Sequence, residues 1–174
     1  MLRVVAIASL VSPLLGGCRI SLEDVDTSIQ DTDGGNGRAC VVSTTSQPCM
    51  DATTHSDLAF IEQKIFAAHC LFSGCHGSAT DSGKLDLRAG VSHDHLVGVS
   101  SQIDGTRQLV VPNDVAASYL MLMLRDVAPA MANPPGSPPP GDIGFMPAPP
   151  GTPSLCCQKL DAIERWINAG APNL

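Results

Sequence analysis

The stretch Cys70-Leu71-Phe72-Ser73-Gly74-Cys75-His76-Gly77 carries the most distinctive chemistry of this sequence and decides its fold. Two cysteines followed at once by a histidine are the pattern of covalent haem c attachment: two thiols add to the haem vinyl groups and the histidine binds the iron. The common spacing has two residues between the cysteines, whereas four residues separate Cys70 from Cys75. The pattern predicts haem c as the cofactor, bound through Cys70, Cys75 and His76.

Three other interpretations of this stretch stay open at the level of sequence. Cys70 and Cys75 could form a disulfide beside an idle His76. A zinc site would need further cysteines or histidines at a matching spacing, for which Cys156-Cys157 is a poor candidate. A catalytic thiol at Cys75 would use His76 as its base, although sequence neighbours rarely have the geometry of a nucleophile and its base.

The N-terminus predicts the compartment. Residues 2–15 hold one positive charge and an apolar run that is too short for a span of about 20 residues, which is typical of a secretory signal. The run closes with Leu15-Gly16-Gly17-Cys18, which resembles a bacterial lipobox. Residues 1–17 are therefore predicted to be a lipoprotein signal peptide and Cys18 the lipidated residue, with an ordinary secreted protein as the alternative. Arg19 after Cys18 is compatible with an extracytoplasmic position on the outer membrane.

Composition limits the partners. The 174-residue chain is 44% hydrophobic but only 3% aromatic, and its net charge is −7. An acidic chain with 10 Lys and Arg is a poor ligand for phosphate backbones, so no nucleic-acid partner is expected. The expected partners are redox proteins and, through the lipid, a membrane. Haem would supply the large apolar body that so few aromatic side chains cannot.

The domain organisation follows from polarity and helical spacing. Residues 18–55 are acidic and glycine-rich and are predicted to be a flexible tether, followed by a folded domain over residues 56–174. Within the tether Cys40 and Cys49 are expected to form a local disulfide. All three pairings of the cysteines left after lipid and haem are nevertheless possible. These cysteines are Cys40, Cys49, Cys156 and Cys157.

Three helices are predicted, which makes the fold class all-α. The first begins at Ser56-Asp57, the second covers Val115–Asp126, and the third covers about Gln158–Ala169 with Gly170 as its C-cap. The proline-rich residues 129–153 cannot form a regular helix. The coarse picture is a small helical domain with long Pro/Gly-rich loops.

An ordered set of short motifs resembles planctomycete-type cytochrome c domains, over about residues 57–172. The motifs are Ile65-Phe66, Cys70 with Cys75-His76-Gly77, Gly83-Lys84-Leu85-Asp86-Leu87, Val111-Pro112-Asn113-Asp114, Ser118-Tyr119-Leu120, Phe145-Met146-Pro147 and Trp166-Ile167-Asn168-Ala169-Gly170-Ala171. The resemblance implies a small helical electron-transfer cytochrome whose iron is bound by His76 and Met146. The departures are the four-residue cysteine gap and a longer insertion around residues 128–144.

The other methionines and histidines are weaker candidates. Met131 is the rival to Met146, whereas Met121 and Met123 lie in an apolar run and are expected to fill the core. The segment His93-Asp94-His95 is expected to be a solvated polar loop rather than a metal site. His69 is expected at the negative end of the first helix.

These patterns together predict a lipid-anchored c-type cytochrome with one haem, in the envelope of a bacterium. It would transfer single electrons between redox partners and would not be an enzyme, because two protein ligands leave no open position on the iron. One alternative is a haem-free structural or interaction lipoprotein with a Cys70–Cys75 disulfide. Another is an enzyme such as a peroxidase, if the sixth iron position is vacant.

Overall fold

The structure is a computed structural model. It describes residues 40–72, 74–81, 84–125, 146–147 and 155–174. The predicted signal peptide, the lipidation site Cys18, the tether up to residue 39 and the rival ligand Met131 lie outside these residues.

Helices joined by turns make up the described part of the chain, and the all-α class is confirmed there. The elements are α1 Gln47–Asp51; α2, which runs through Leu58–Phe60, a π-helical segment Ile61–Phe66 and Ala67–His69; α3 Ser92–Leu96; α4 Tyr119–Leu124; and α5 Cys157–Asn168. Extended pairing in the same residues is limited to isolated bridges such as that between Val97 and Val110. None of the described helices is long and apolar enough to cross a membrane.

Helix α2 begins where the sequence predicts. The carboxylate of Asp57 accepts a hydrogen bond of 2.8 Å from the backbone N–H of Phe60, as an N-cap residue does. The side chains of Ile61, Ile65 and Phe66 are buried. They belong to the main apolar core, together with residues of α5, because α2 and α5 pack against each other.

Helix α5 also lies where it is predicted, one residue earlier at each end. Gly170 has a φ of +92° and its N–H donates to Ile167, while the N–H of Ala171 donates to Trp166. This pair of bonds satisfies the last carbonyls of the helix, and the left-handed backbone explains a glycine at that position. Trp166 is fully buried, and its indole N–H donates to the carbonyl of Pro172 at 3.0 Å.

Helix α4 is shorter than the predicted Val115–Asp126. A carboxylate oxygen of Asp114 accepts from the N–H of Ala117, and the Ser118 hydroxyl donates to the carbonyl of Asp114 at 2.7 Å. These local bonds hold the preceding residues as turns, so regular helix begins only at Tyr119. All six side chains of α4 are buried, as its continuous apolar run predicts.

The cysteine pairing corrects the predicted tether. The structure has Cys40 bonded to Cys157 and Cys49 bonded to Cys156, so the local Cys40–Cys49 disulfide is wrong. Helix α1 packs against α5, with Cys49 fully buried between them. Residues 40–55 therefore belong to the folded unit instead of the tether.

Candidate functional site

An apolar cavity lies between α2, α4, α5 and the loop that follows α2. The space between its walls is about 740 Å³, including the part that opens to solvent. Most of the wall is aliphatic or aromatic and comes from all these elements, for example Phe66, Leu87, Leu124 and Ile163.

Three of the four residues predicted to hold the cofactor lie on the wall of this one cavity. Cys70, His76 and Met146 are all lining residues although they are far apart in the sequence. Cys75 is buried but is not part of the described wall. A thiol, an imidazole and a thioether thus meet in one apolar space.

The loop over residues 70–77 explains how Cys70 and His76 come together. Helix α2 ends as the N–H of Cys70 donates to Phe66, and the chain then turns through Gly74, whose φ is +77°. The N–H of His76 donates back to the carbonyl of Cys70 at 3.0 Å. Because of this bond, His76 lies against the end of α2 although four residues separate the two cysteines.

The two sulfur atoms of the motif are in different states. Cys70 is a free thiol, and burial raises its pKa to about 12, so it is protonated at neutral pH. Cys75 is disulfide-bonded. The structure therefore contains no Cys70–Cys75 disulfide, and the Cys75 sulfur is not in the thiolate form that a catalytic nucleophile needs.

A zinc site finds no support in the described residues. Cys156 and Cys157, its weak candidates, are both in disulfides. No group of three or more His, Cys, Asp or Glu side chains is arranged to hold a metal ion in the part of the chain that the structure describes.

Met146 reaches the cavity from a short described segment, Met146-Pro147, joined by a cis peptide bond. Its backbone N–H donates to the carbonyl of Met123 at 3.0 Å, which ties this segment to α4. Met121 and Met123 are buried on α4, as predicted, and Met123 also lines the cavity.

His69 and His93, outside the motif, have structural partners. His69 is the last residue of α2, as predicted, and its Nε2 lies 2.7 Å from the ammonium nitrogen of the buried Lys159. The His93-Asp94-His95 segment is part of helix α3 and not the expected loop. The Nε2 atom of His93 lies 3.0 Å from the carbonyl oxygen of Ala171, which joins α3 to the chain end.

Sequence reasoning missed the polar residues next to the cavity. Tyr119 lines it and is buried, and Arg107 and Asp104 form a buried pair nearby with 3.5 Å between Arg107 Nε and Asp104 Oδ2. The signal in the sequence is weak: a lone tyrosine opening an apolar run, and an arginine in a turn-rich segment.

Comparison with protein-family models, with curated proteins and with solved structures finds no match. The resemblance to cytochrome c domains therefore rests on the sequence motifs.

Proposed function

We propose that the chain is an extracytoplasmic electron-transfer protein carrying one covalently attached c-type haem, held to a bacterial membrane by lipid on Cys18. The observation that supports this most is that Cys70, His76 and Met146 line one apolar cavity. The sequence singles out these residues for thioether bonding and iron ligation before any geometry is known.

The donor set fits a haem iron. Imidazole nitrogen and thioether sulfur are the two axial ligands of electron-transferring cytochromes c, and the thioether raises the reduction potential. Apolar walls suit the macrocycle and exclude water, which limits access of other ligands to the metal. When bound, the haem supplies a one-electron couple; the residues of the chain bind it, orient it and set its potential.

The cysteines would form the covalent link by addition. In each thioether the sulfur bonds to one vinyl carbon and the thiol hydrogen goes to the other, so the double bond is consumed and nothing is released. Cys70 is already a thiol. Cys75 is disulfide-bonded, so a thiol reductant must first supply two electrons and two protons to that disulfide.

His76 is held in place by the chain on both sides. Its backbone N–H donates to Cys70, and its carbonyl accepts a bond of 2.9 Å from the N–H of Leu87, another residue of the cavity wall. A fixed backbone keeps the imidazole on the wall at low entropic cost. This is what a proximal ligand needs if its distance from the iron is to change little between the two oxidation states.

Haem staining of denatured protein tests the proposal. The full chain is produced together with a haem-attachment system that accepts variant spacings, denatured, separated on a gel and stained for haem peroxidase activity. Retained colour is expected, together with a mass increase equal to one haem. Colourless protein of unmodified mass would remove the cytochrome proposal and favour the haem-free interaction lipoprotein.

The lipid anchor is tested separately. Cys18→Ser is expected to remove partitioning into detergent and to leave haem staining unchanged, because the anchor and the cavity lie in different parts of the chain. If the variant still partitions like the parent, the lipobox assignment is wrong.

A further inference from the structure

The hydroxyl of Tyr119 stands out on the cavity wall. The residue is 1% exposed, and within the described residues its hydroxyl has no hydrogen-bond partner. Leaving a buried hydroxyl unbonded costs on the order of 1–3 kcal/mol, so such a group in a folded protein calls for an explanation. A ligand in the cavity that accepts a hydrogen bond would provide one.

A buried arginine interacts electrostatically with this hydroxyl. Arg107 is 6% exposed, and its carbonyl accepts a bond of 2.8 Å from Ser101, a residue of the cavity wall. Its Nε and Nη2 atoms make no hydrogen bond within the described residues. The Oδ2 atom of Asp104 lies 3.5 Å from Arg107 Nε, and the Oδ1 atom of Asp104 accepts from the N–H and the hydroxyl of Thr106.

The two charges act on Tyr119 in opposite senses. Burial raises the pKa of the Tyr119 hydroxyl, Asp104 raises it further, and Arg107 lowers it. The phenol therefore stays protonated at neutral pH and acts as a donor. The cavity wall is mostly apolar and carries this O–H, and Arg107, outside the described lining, has two guanidinium nitrogens that make no hydrogen bond within the described residues. Together they are a donor set for an anion.

We propose that Tyr119 and Arg107 bind a carboxylate at the cavity, with the Tyr119 hydroxyl donating to it and Arg107 compensating its charge. The proposal rests on the proposed function in one respect: it assigns the carboxylate to a haem propionate. The same chemistry would accept the head of a free fatty acid, which the experiment distinguishes.

The test measures the reduction potential of the haem-loaded full chain between pH 5 and pH 8. In the parent the propionate is expected to stay ionised, so the potential is flat. Arg107→Gln should raise the proton affinity of the propionate at least tenfold, so the potential falls as the pH rises within this window. Tyr119→Phe should also raise the proton affinity of the propionate, by about threefold. Because this variant removes a single oxygen atom, it keeps the test valid if Arg107→Gln fails to fold.

Arg125→Gln is the matched control, because Arg125 pairs with Asp161 and Glu164 away from the cavity wall. If both test variants keep the flat profile of the parent and of this control, the proposal is overturned. A parent without covalent haem would instead overturn the proposed function, so the two failures are distinguishable.

The free-acid source is tested with sodium decanoate on the haem-free full chain. Tyr119 is the chain's one tyrosine, so a ¹³C label on its ring gives a single NMR signal. Decanoate is expected to leave that signal unchanged at concentrations where fatty-acid binders saturate. The propionate assignment is overturned if decanoate shifts the Tyr119 signal saturably and the haem-loaded Arg107→Gln and Tyr119→Phe variants keep the parent's flat dependence of potential on pH. The site would then be assigned to a free acid.

Discussion

The cysteines at the contact between α1 and α5 differ in state from Cys70 at the cavity. Where α1 meets α5, four cysteines are consumed in two disulfides within the chain. At the cavity, Cys70 keeps a protonated thiol beside an imidazole and a thioether. The contact between α1 and α5 is stabilised by two disulfides within the chain, whereas residues 70–77 have one free thiol, Cys70, and one disulfide-bonded cysteine, Cys75. Whether a cysteine is a free thiol or part of a disulfide therefore depends on its neighbours in space and not on the compartment alone.

The largest expected effect separates these two groups of cysteines directly. Cys70→Ser with Cys75→Ser should abolish covalent haem, because serine hydroxyls do not form the thioethers. The matched pair Cys40→Ser with Cys157→Ser removes as many sulfur atoms at the contact between α1 and α5 and should retain the haem. The measurement is haem staining with mass spectrometry of the denatured chains. Equal staining in both double variants would mean that Cys70 and Cys75 are not the attachment points.

The second prediction concerns the stability that the disulfides provide. Both join the same two segments, so removing Cys40–Cys157 alone leaves the long loop closed by Cys49–Cys156. The single loss then frees a loop of roughly ten residues and should cost about 3 kcal/mol or less. Removing both pairs opens a loop on the order of 100 residues and should cost roughly 7 kcal/mol, which is comparable to the total stability of many domains.

Urea unfolding of the haem-loaded chain measures these costs, with alanine at each removed cysteine. The discriminating result is the strong non-additivity: the second disulfide to be removed costs more than the first, whichever goes first. Equal and additive losses would show that the two bonds constrain independent parts of the unfolded chain, contrary to the observed topology.

The sequence predicts α2, α4 and α5 but neither α1 nor α3, and it predicts the disulfides badly, for a physical reason. The cap at Asp57, the apolar run of α4 and the glycine after α5 are local signals, and each lies within a few residues of the element it defines. Disulfide pairing depends on tertiary contacts. Cys40 and Cys49 look like a local pair until α1 is packed against α5.

The candidate site divides in the same way. Spacing of residues singles out the thiols and His76, and the family resemblance singles out Met146. Tyr119 lies in the Ser118-Tyr119-Leu120 motif, but the motif gives its hydroxyl no role, and Arg107 lies in no motif. Both side chains stand out only because they carry buried atoms that make no hydrogen bond within the described residues. Such a property does not exist until the chain is folded.

The third prediction sharpens the comparison at Met146. Met146→Ala should leave the covalent haem in place, lower the reduction potential and make cyanide or imidazole bind at least tenfold faster, because the sixth position on the iron is opened. The near-infrared charge-transfer band expected of methionine bound to ferric iron should disappear. Met131→Ala is the matched control from the proline-rich stretch and should change none of these.

The opposite pattern in the two methionine variants would assign the ligand to Met131 and make the family resemblance at Met146 wrong. If neither variant changes the spectrum, a histidine or water occupies the sixth position. A peroxidase-like enzyme would then be favoured over an electron carrier.

The smallest expected effect concerns the segment that supports His76. The N–H of Leu87 donates to the His76 carbonyl, and the preceding residue, Asp86, is buried. The Arg88 guanidinium donates to the Asp86 carboxylate at 2.6–3.1 Å. This pairing holds the pKa of Asp86 at about 2, below its ordinary 3.8. Because the pKa is lower in the folded state, the stabilisation is complete above pH 3.8 and is lost as the pH falls through about 2. Asp86→Asn should therefore cost about 1 kcal/mol at neutral pH, a modest value since Arg88 faces water, and the difference from the parent should be mostly lost by about pH 2 and vanish below it. Thermal unfolding at a series of pH values measures this. A difference that stays constant down to pH 2 would mean that Asp86 acts through its shape and hydrogen bonds instead of its charge.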